Sequence, residues 1–423
     1  MTTPCLFDTG LMAQIRDRFV NVESDPIVGR RIYFENAGGT LKLKSIFPEL
    51  ELFTALPDNA GRLNATSRKI NATLARGRED VALLLGSRSG HIISEQSGTG
   101  MIFRITSTVV RSASGTNIVT TNLDHPAVYD AVHILARRHG LECRVAGLDP
   151  KRGDVPVENI LKLVDTGTVM LAMIHSSNNL GSRNDVTETT RGARRINPEI
   201  RVVIDGCQHV SHGLIDVEAY GADAWIFDAY KVYSKIGTNF AHISDRMEGM
   251  DRDNLSGKAN TDWDLGTREP AAFACISKVV EYFEWLGGRF TDSGDGRARI
   301  LAAMEAVEAH EAALTGALLR GVDGAPGMLD IDGITVYGET ENLDEREAIV
   351  AFNVRGVPTA EVVEYFGANG VRVHNRISDA YSRHTLHAVG IEEAVRVSLC
   401  HYNTAKEVSV FLRLLDAFAR DRC

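Results

Sequence analysis

Between about residue 60 and residue 245 the chain switches repeatedly between two hydrophobic periods. "NATSRKINATLARGREDVALLLG" repeats its apolar positions every three to four residues, the spacing of one helix face, and "HIIS" then breaks into a short extended run. "TGMIFRITSTVVRSA" predicts a helix, "NIVTT" a strand, "AVYDAVHILARRHG" a helix, "ECRVAGL" a strand and "VENILKLV" a helix. "VMLAMIHS", "ETTRGARRIN" and "RVVIDG" continue as strand, helix and strand, and "AWIF" follows as another apolar run. Strands that alternate with helices of this length need crossover connections, so the pattern predicts an α/β fold with a mostly parallel sheet covered on both faces.

The pattern changes after residue 268. "EPAAFACISKVVEYFEWLGG" and "RARILAAMEAVEAHEAALTGALLRGV" predict long helices. "ITVYG", "AIVAFNV", "AEVVEYFGANG", "VRVHN", "AVRVSLC" and "AKEVSVFLRLLDAF" then predict a smaller domain of strands and flanking helices. The linker by composition is "FTDSGDGR", residues 290–297. The expected division is an N-terminal segment, 1–30, packing with the small domain, a large domain, 31–292, and a small α+β domain, 293–423.

Composition narrows the partners. With 423 residues, 44% hydrophobic and 24% charged, the chain can build two domains. A net charge of -10 and the lack of a Lys/Arg-rich run argue against nucleic acid. Six cysteines lie far apart without a C-x-x-C pair, which suggests neither a metal site nor a disulfide framework and fits reduced thiols in a cytoplasm. The first residues do not read as a signal peptide, and no apolar run reaches the roughly 18 residues of a membrane span.

In an open parallel sheet, ligands bind beyond the carboxyl ends of the strands, so the polar residues after each apolar run belong together. They form a coherent set. Ser97, Gly98 and Thr99, at a helix start, offer N–H groups and hydroxyls to a phosphate. His125 offers a flat face for stacking, Asn178 and Gln208 can hydrogen-bond a ring oxygen, and Asp205 can keep a ring nitrogen protonated. Lys231 or its neighbour Lys235 can form an imine, and the spacing to Gly237 favours Lys231. Phosphate, protonated pyridine, phenolic oxygen and aldehyde together describe pyridoxal 5'-phosphate.

These stretches also resemble a family: the class V aminotransferases of pyridoxal-phosphate fold type I, in their cysteine desulfurase-like branch. "YFENAGGT", "LDHPAVYD", "HSSNNLGS", "VVIDGCQHVSHGLIDVEAYGADAWIFDAYKVYSKIG", "LGTREP" and "VRVSLCHYNT" carry the resemblance in chain order. It implies a large domain with a mostly parallel seven-stranded type of sheet between helices, a smaller C-terminal domain, and a homodimer with shared sites. It further implies that Lys231, His125 and Asp205 are catalytic, that Tyr230 touches the cofactor, and that Arg396 anchors the substrate carboxylate. Thr267 would reach a phosphate across the dimer interface, and Asn36 would stand near the substrate.

Two stretches depart from that pattern. The segment "HNRISDAYSRHTLHAVG", residues 374–390, corresponds to a mobile loop that carries a nucleophilic cysteine in desulfurases, and here it has none. His374, Asn375, Arg376, His384 and His387 in it could instead recognise a larger substrate or protonate a leaving sulfur. "DAYK" places Asp228 where a second anion would stand near the phosphate. The expected activity is therefore a carbon–sulfur lyase acting on cysteine or an S-substituted cysteine. A class V aminotransferase, a desulfurase without the loop cysteine and a non-catalytic scaffold are the alternatives.

Overall fold

The computed structural model describes residues 5–259 and 262–422, so Cys423 lies outside the described residues. Seven strands build the main sheet: β1 (His91–Glu95), β2 (Asn117–Thr121), β3 (Glu142–Ala146), β4 (Thr168–Ile174), β5 (Arg201–Asp205), β6 (Ala224–Asp228) and β7 (Asn239–Ile243). Their spatial order is β1-β7-β6-β5-β4-β2-β3. All pairs are parallel except those of β7, which runs antiparallel to both β1 and β6. The reversal has a local cause. Residues 229–238 connect β6 to β7, too short a span for the crossover that a parallel neighbour needs. Lys231 lies in that short connection.

Alternate residues of the strands enter two cores. Val203 and Ile226 pack with Met101, Ile105 and Val132 of helices Gly98–Ser112 and Pro126–His139. Ile204 and Trp225 face the opposite layer, with Leu74 and Phe273 of helices Ala65–Leu85 and Pro270–Gly287. Burial on both faces explains why these strands read as nearly continuous apolar runs.

The small domain has an antiparallel sheet of β8 (Ile334–Tyr337), β9 (Ile349–Val354), β10 (His374–Ile377) and β11 (Glu393–Ser398), in the order β8-β9-β11-β10. Helix Ala405–Arg422 covers it through Val408, Phe411 and Leu415. Among the described residues no helix is long and apolar enough to cross a membrane.

Three details bear on the expected organisation. The N-terminal segment sends Ile15 and Phe19 into the large-domain core, whereas Ile32–Tyr33 pairs in parallel with Val371–Arg372 and Phe34 enters the small-domain core. Arg16 still reaches the small domain, at the Tyr402 carbonyl and Glu407. Helix Gly296–Arg320 divides between the cores, with Ile300, Met304 and Val307 in the large one and Leu314, Leu318 and Leu319 in the small one. That helix is thus shared by the two cores, because a linker's composition marks where the chain turns and not which core the next helix joins. Residues 374–390 are not one loop: strand β10 and helix Arg383–Val389 leave only 378–382 as the connection.

Candidate active site

Neighbouring strands deliver their last residues to one edge of the sheet. Asp205 ends β5 and Asp228 ends β6, while Asn239 opens the reversed β7 opposite both Asp228 and Glu95. Ile204 is in register with Trp225, and a Cβ on Gly206 would lie 2.0 Å from the Trp225 ring. Only glycine fits that approach, so a buried indole fixes where the chain turns between Asp205 and Cys207.

A cavity of about 330 Å³ opens over this edge. It brings together Ser97, Gly98 and Thr99 from the helix start with His125 and Asn178 from the loops after β2 and β4. Asp205, Gln208, Tyr230 and Lys231 line it too. Cys207, Asp228 and Tyr381 line it as well. Asp228 stood out in the sequence by its charge. Nothing in the local pattern distinguished Cys207 or Tyr381, since their placement depends on the Gly206 turn and on packing between domains.

Burial sets the electrostatics. Burial pushes the Lys231 amine down from 10.5 to about 8, and the nearby Arg396 guanidinium pushes the same way. A substantial neutral, nucleophilic fraction is therefore present at mildly alkaline pH. Its Nζ donates to the Ala37 carbonyl. Asp205 is 3% exposed and accepts the Cys207 N–H at 3.0 Å, but burial outweighs that bond and raises its pKa. A carboxylate buried without a cation is a ready partner for one. Burial, then Lys231, lowers His125 to about 4, so its ring presents an uncharged face. The His125 Nδ1 accepts the Ala127 N–H at 3.2 Å, which makes the ring the cap of helix Pro126–His139 and fixes its orientation.

Behind Gln208 lies a second layer. His212 Nδ1 is 2.7 Å from Glu311 Oε2, and its Nε2 is 3.3 Å from Gln208 Nε2. Burial disfavours charge on His212, yet the Glu311 carboxylate outweighs it and the pKa is raised. An imidazolium donates from both nitrogens and needs an acceptor at Nε2. Gln208 Oε1 is buried without a partner. Turning the amide satisfies both atoms and leaves the amide N–H groups facing the cavity.

Other candidates stand around or outside the cavity. Arg396, 2% exposed, donates to the Asn178 carbonyl at 2.8 Å, and burial, then Arg376, lowers it to about 9. His374 is half-buried, 3.6 Å from Glu35, and burial, then Arg396, lowers it to about 4. Arg376 is held by the Tyr381 carbonyl and the Ser382 hydroxyl. His384 stacks on Tyr129 with ring centroids 4.3 Å apart. The fully buried Asn36 donates to the Ser398 carbonyl at 2.8 Å and accepts from the Tyr402 hydroxyl, so it holds the turn that carries Ala37 and does not line the cavity. Thr267 lies apart, in a surface recess beside Asn59, Gly61 and Arg78. Lys235 pairs with Glu269 at 2.5 Å and is absent from the cavity lining.

The donor set fits pyridoxal 5'-phosphate on observations made here. A partly neutral buried amine suits the aldehyde, a buried carboxylate outside any ion pair suits a pyridinium, and the Gln208 amide, turned so that its oxygen meets His212, suits a ring oxygen. The phosphate end differs, because Asp228 already accepts the Gly98 N–H at 3.0 Å.

Known proteins share the sequence pattern and the fold. A probable cysteine desulfurase of Methanothermobacter thermautotrophicus is 25% identical over 417 residues, 93% of this chain and 96% of that protein. A probable cysteine desulfurase of Mycolicibacterium paratuberculosis is 25% identical over 409 residues, 92% of this chain, and the match spans only 55% of that longer relative. In fold, the chain matches a cysteine desulfurase from Thermococcus onnurineus with a TM-score of 0.79 at 19% identity, covering 92% and 95% of the two chains. The Escherichia coli cysteine desulfurase CsdA gives 0.78 at 19% identity, covering 99% of each. The family model for class V aminotransferases matches residues 32–283 and 298–411, across both domains. The chain is a member of the class V aminotransferase family and a pyridoxal 5'-phosphate-dependent enzyme.

Proposed function

We propose that the protein is a carbon–sulfur lyase that acts on cysteine or an S-substituted cysteine. One observation carries the reading: the cavity joins the Lys231 amine to the Asp205 carboxylate, while its lining thiol, Cys207, is a poor nucleophile. Burial, then the charges of Asp205 and Asp228, keeps that thiol protonated. Segment 374–390 offers no cysteine in its place. The naming of the relatives as cysteine desulfurases supports a sulfur-bearing amino acid as substrate.

When bound, the cofactor supplies a sink for electrons from the substrate's α carbon. Asp205 would hold the ring nitrogen and its proton, and the uncharged His125 would offer the ring a flat face. Lys231 would hold the aldehyde end, and its partly neutral amine is the group that could take the substrate's α proton. Arg396 anchors the substrate carboxylate beside the Arg376 guanidinium, and the uncharged His374, opposite Arg396 on the neighbouring strand, offers a hydrogen bond. The overall conversion would consume one water and turn an S-substituted cysteine into thiol, pyruvate and ammonia. A homodimer in which Thr267 reaches the neighbour's phosphate belongs to this reading. The free thiols Cys5, Cys143, Cys207, Cys275 and Cys400 support a reducing, cytoplasmic setting.

Incubation with a panel of S-substituted cysteines tests the reading. Pyruvate and thiol formed in equal amounts without added keto acid support it. A strict keto-acid requirement indicates transamination, and alanine formed from cysteine indicates desulfuration; either result overturns the lyase assignment.

A further inference from the structure

Asp228 stands at the helix start where a cofactor phosphate would bind. The first N–H groups of helix Gly98–Ser112 have no partner within the helix, and with the helix dipole they favour an anion. Ser97 Oγ accepts the Gly100 N–H at 3.1 Å, and Asp228 Oδ1 accepts the Gly98 N–H at 3.0 Å. A Cβ on Gly98 would come within 3.0 Å of Asp228 Oδ2, so the carboxylate is pressed against the turn. Asn239 Nδ2 at 3.3 Å and Cys207 Sγ at 3.6 Å also reach it. Asp205, Tyr230 and Lys231 line the same cavity. Of these neighbours Lys231 alone can carry positive charge, and its Nζ is engaged with the Ala37 carbonyl. A carboxylate and a phosphate dianion sharing one N–H in such a pocket repel strongly unless a proton sits between them.

We propose that Asp228 is a cofactor-binding residue that holds the phosphate through a shared proton. The inference rests on the pyridoxal phosphate reading of the cavity and deepens it. Asp228 enters the complex as the neutral acid: its O–H donates to a phosphate oxygen while its other oxygen keeps the Gly98 N–H. The resulting O–H···O⁻ bond belongs to the short, strong class. The proton comes from solvent on binding and returns on release, with no other bond changed. Burial favours the same state, raising Asp228 against the opposing bonds from Gly98 and Asn239.

One proton taken up per phosphate bound makes affinity fall by about tenfold for each pH unit above the carboxyl's pKa in the free site. The probe is pyridoxamine 5'-phosphate, which carries the phosphate but forms no imine, titrated by fluorescence into cofactor-stripped protein from pH 6 to pH 9. Asp228→Asn replaces the acidic O–H with an amide N–H of similar shape. The phosphate's own second ionisation, near about pH 6, acts equally on both proteins. The expected result is a steeper loss of affinity with pH in the natural protein, and at pH 9 binding at least about tenfold tighter for Asp228→Asn. Asp228→Ser should follow the Asn variant, which guards against a single misfolded protein. Parallel pH profiles, or weaker binding in both variants, overturn the proposal. The same samples are treated with pyridoxal 5'-phosphate and borohydride. Label on Lys231 together with parallel profiles rejects the Asp228 proposal alone, whereas no binding and no label in any protein rejects the cofactor reading itself.

Discussion

Glu347, at the junction of the two domains, and Asp205, on the floor of the active cavity, are buried alike at 2% and 3% exposure, yet their surroundings are opposite. Glu347 lies 2.7 Å from His209 Nδ1 and 3.3 Å from Arg183, and Arg183 reaches Glu308 at 2.5 Å. Burial alone would raise the Glu347 pKa, but Arg183 and His209 outweigh it and hold the carboxyl well below its usual range. Asp205 has the Cys207 N–H and thiol and, farther off, Lys231, but no ion pair; burial outweighs them and its pKa rises. The junction satisfies its charges within the chain. The cavity leaves Asp205, Asp228 and Lys231 disfavoured in their charged forms, as expected of groups placed for a ligand and not for stability.

Substitutions on the two sides should separate function from stability. Lys231→Ala should lower turnover by about 10³-fold or more, since it removes both the imine former and the base. Its urea midpoint should not fall, because an amine that burial disfavours has been removed. A large stability loss with retained turnover would break the comparison. Glu347→Gln should act in the opposite sense. It leaves Arg183 with Glu308 alone and His209 without a carboxylate, and should cost about 3 kcal/mol in urea unfolding. Activity per folded molecule should stay within a few-fold.

Acid sharpens the same contrast. Glu347, with its folded pKa lowered, stabilises the chain above the unfolded carboxyl value, and that contribution is lost as pH falls through the folded pKa. Lys231 behaves differently. Its folded pKa of about 8 lies below the ordinary 10.5, so over that interval the unfolded chain binds more protons and the Lys231 contribution to stability rises with pH. Replacing Lys231 with methionine should remove that rise from the difference between two urea-unfolding pH series. The smallest effect belongs to Cys207: Cys207→Ala should leave lyase turnover within about threefold, because a thiol kept protonated does no nucleophilic work. Complete loss would restore the persulfide route.

Much of this was legible before the fold was seen. The alternation of periods gave the large-domain strands, and the rule that ligands gather at strand ends collected Ser97, His125, Asn178, Asp205 and Lys231, all of which line one cavity. The remainder depended on distant pairing. Ile32–Tyr33 joins Val371–Arg372 across nearly the whole chain, which leaves no local period to read. Strand β10 looked like a loop because its polar residues, His374, Asn375 and Arg376, sit on a half-buried edge strand. The His212–Glu311 pair behind Gln208 joins the large domain to the middle of helix Gly296–Arg320, and helical spacing alone does not say what a buried glutamate meets.

Borohydride reduction of the cofactor-loaded protein, followed by peptide mapping, tests the central claim most directly. A single reduced pyridoxyl group on Lys231 is the predicted result. A label on Lys235, on any other lysine or on no lysine at all would contradict the account.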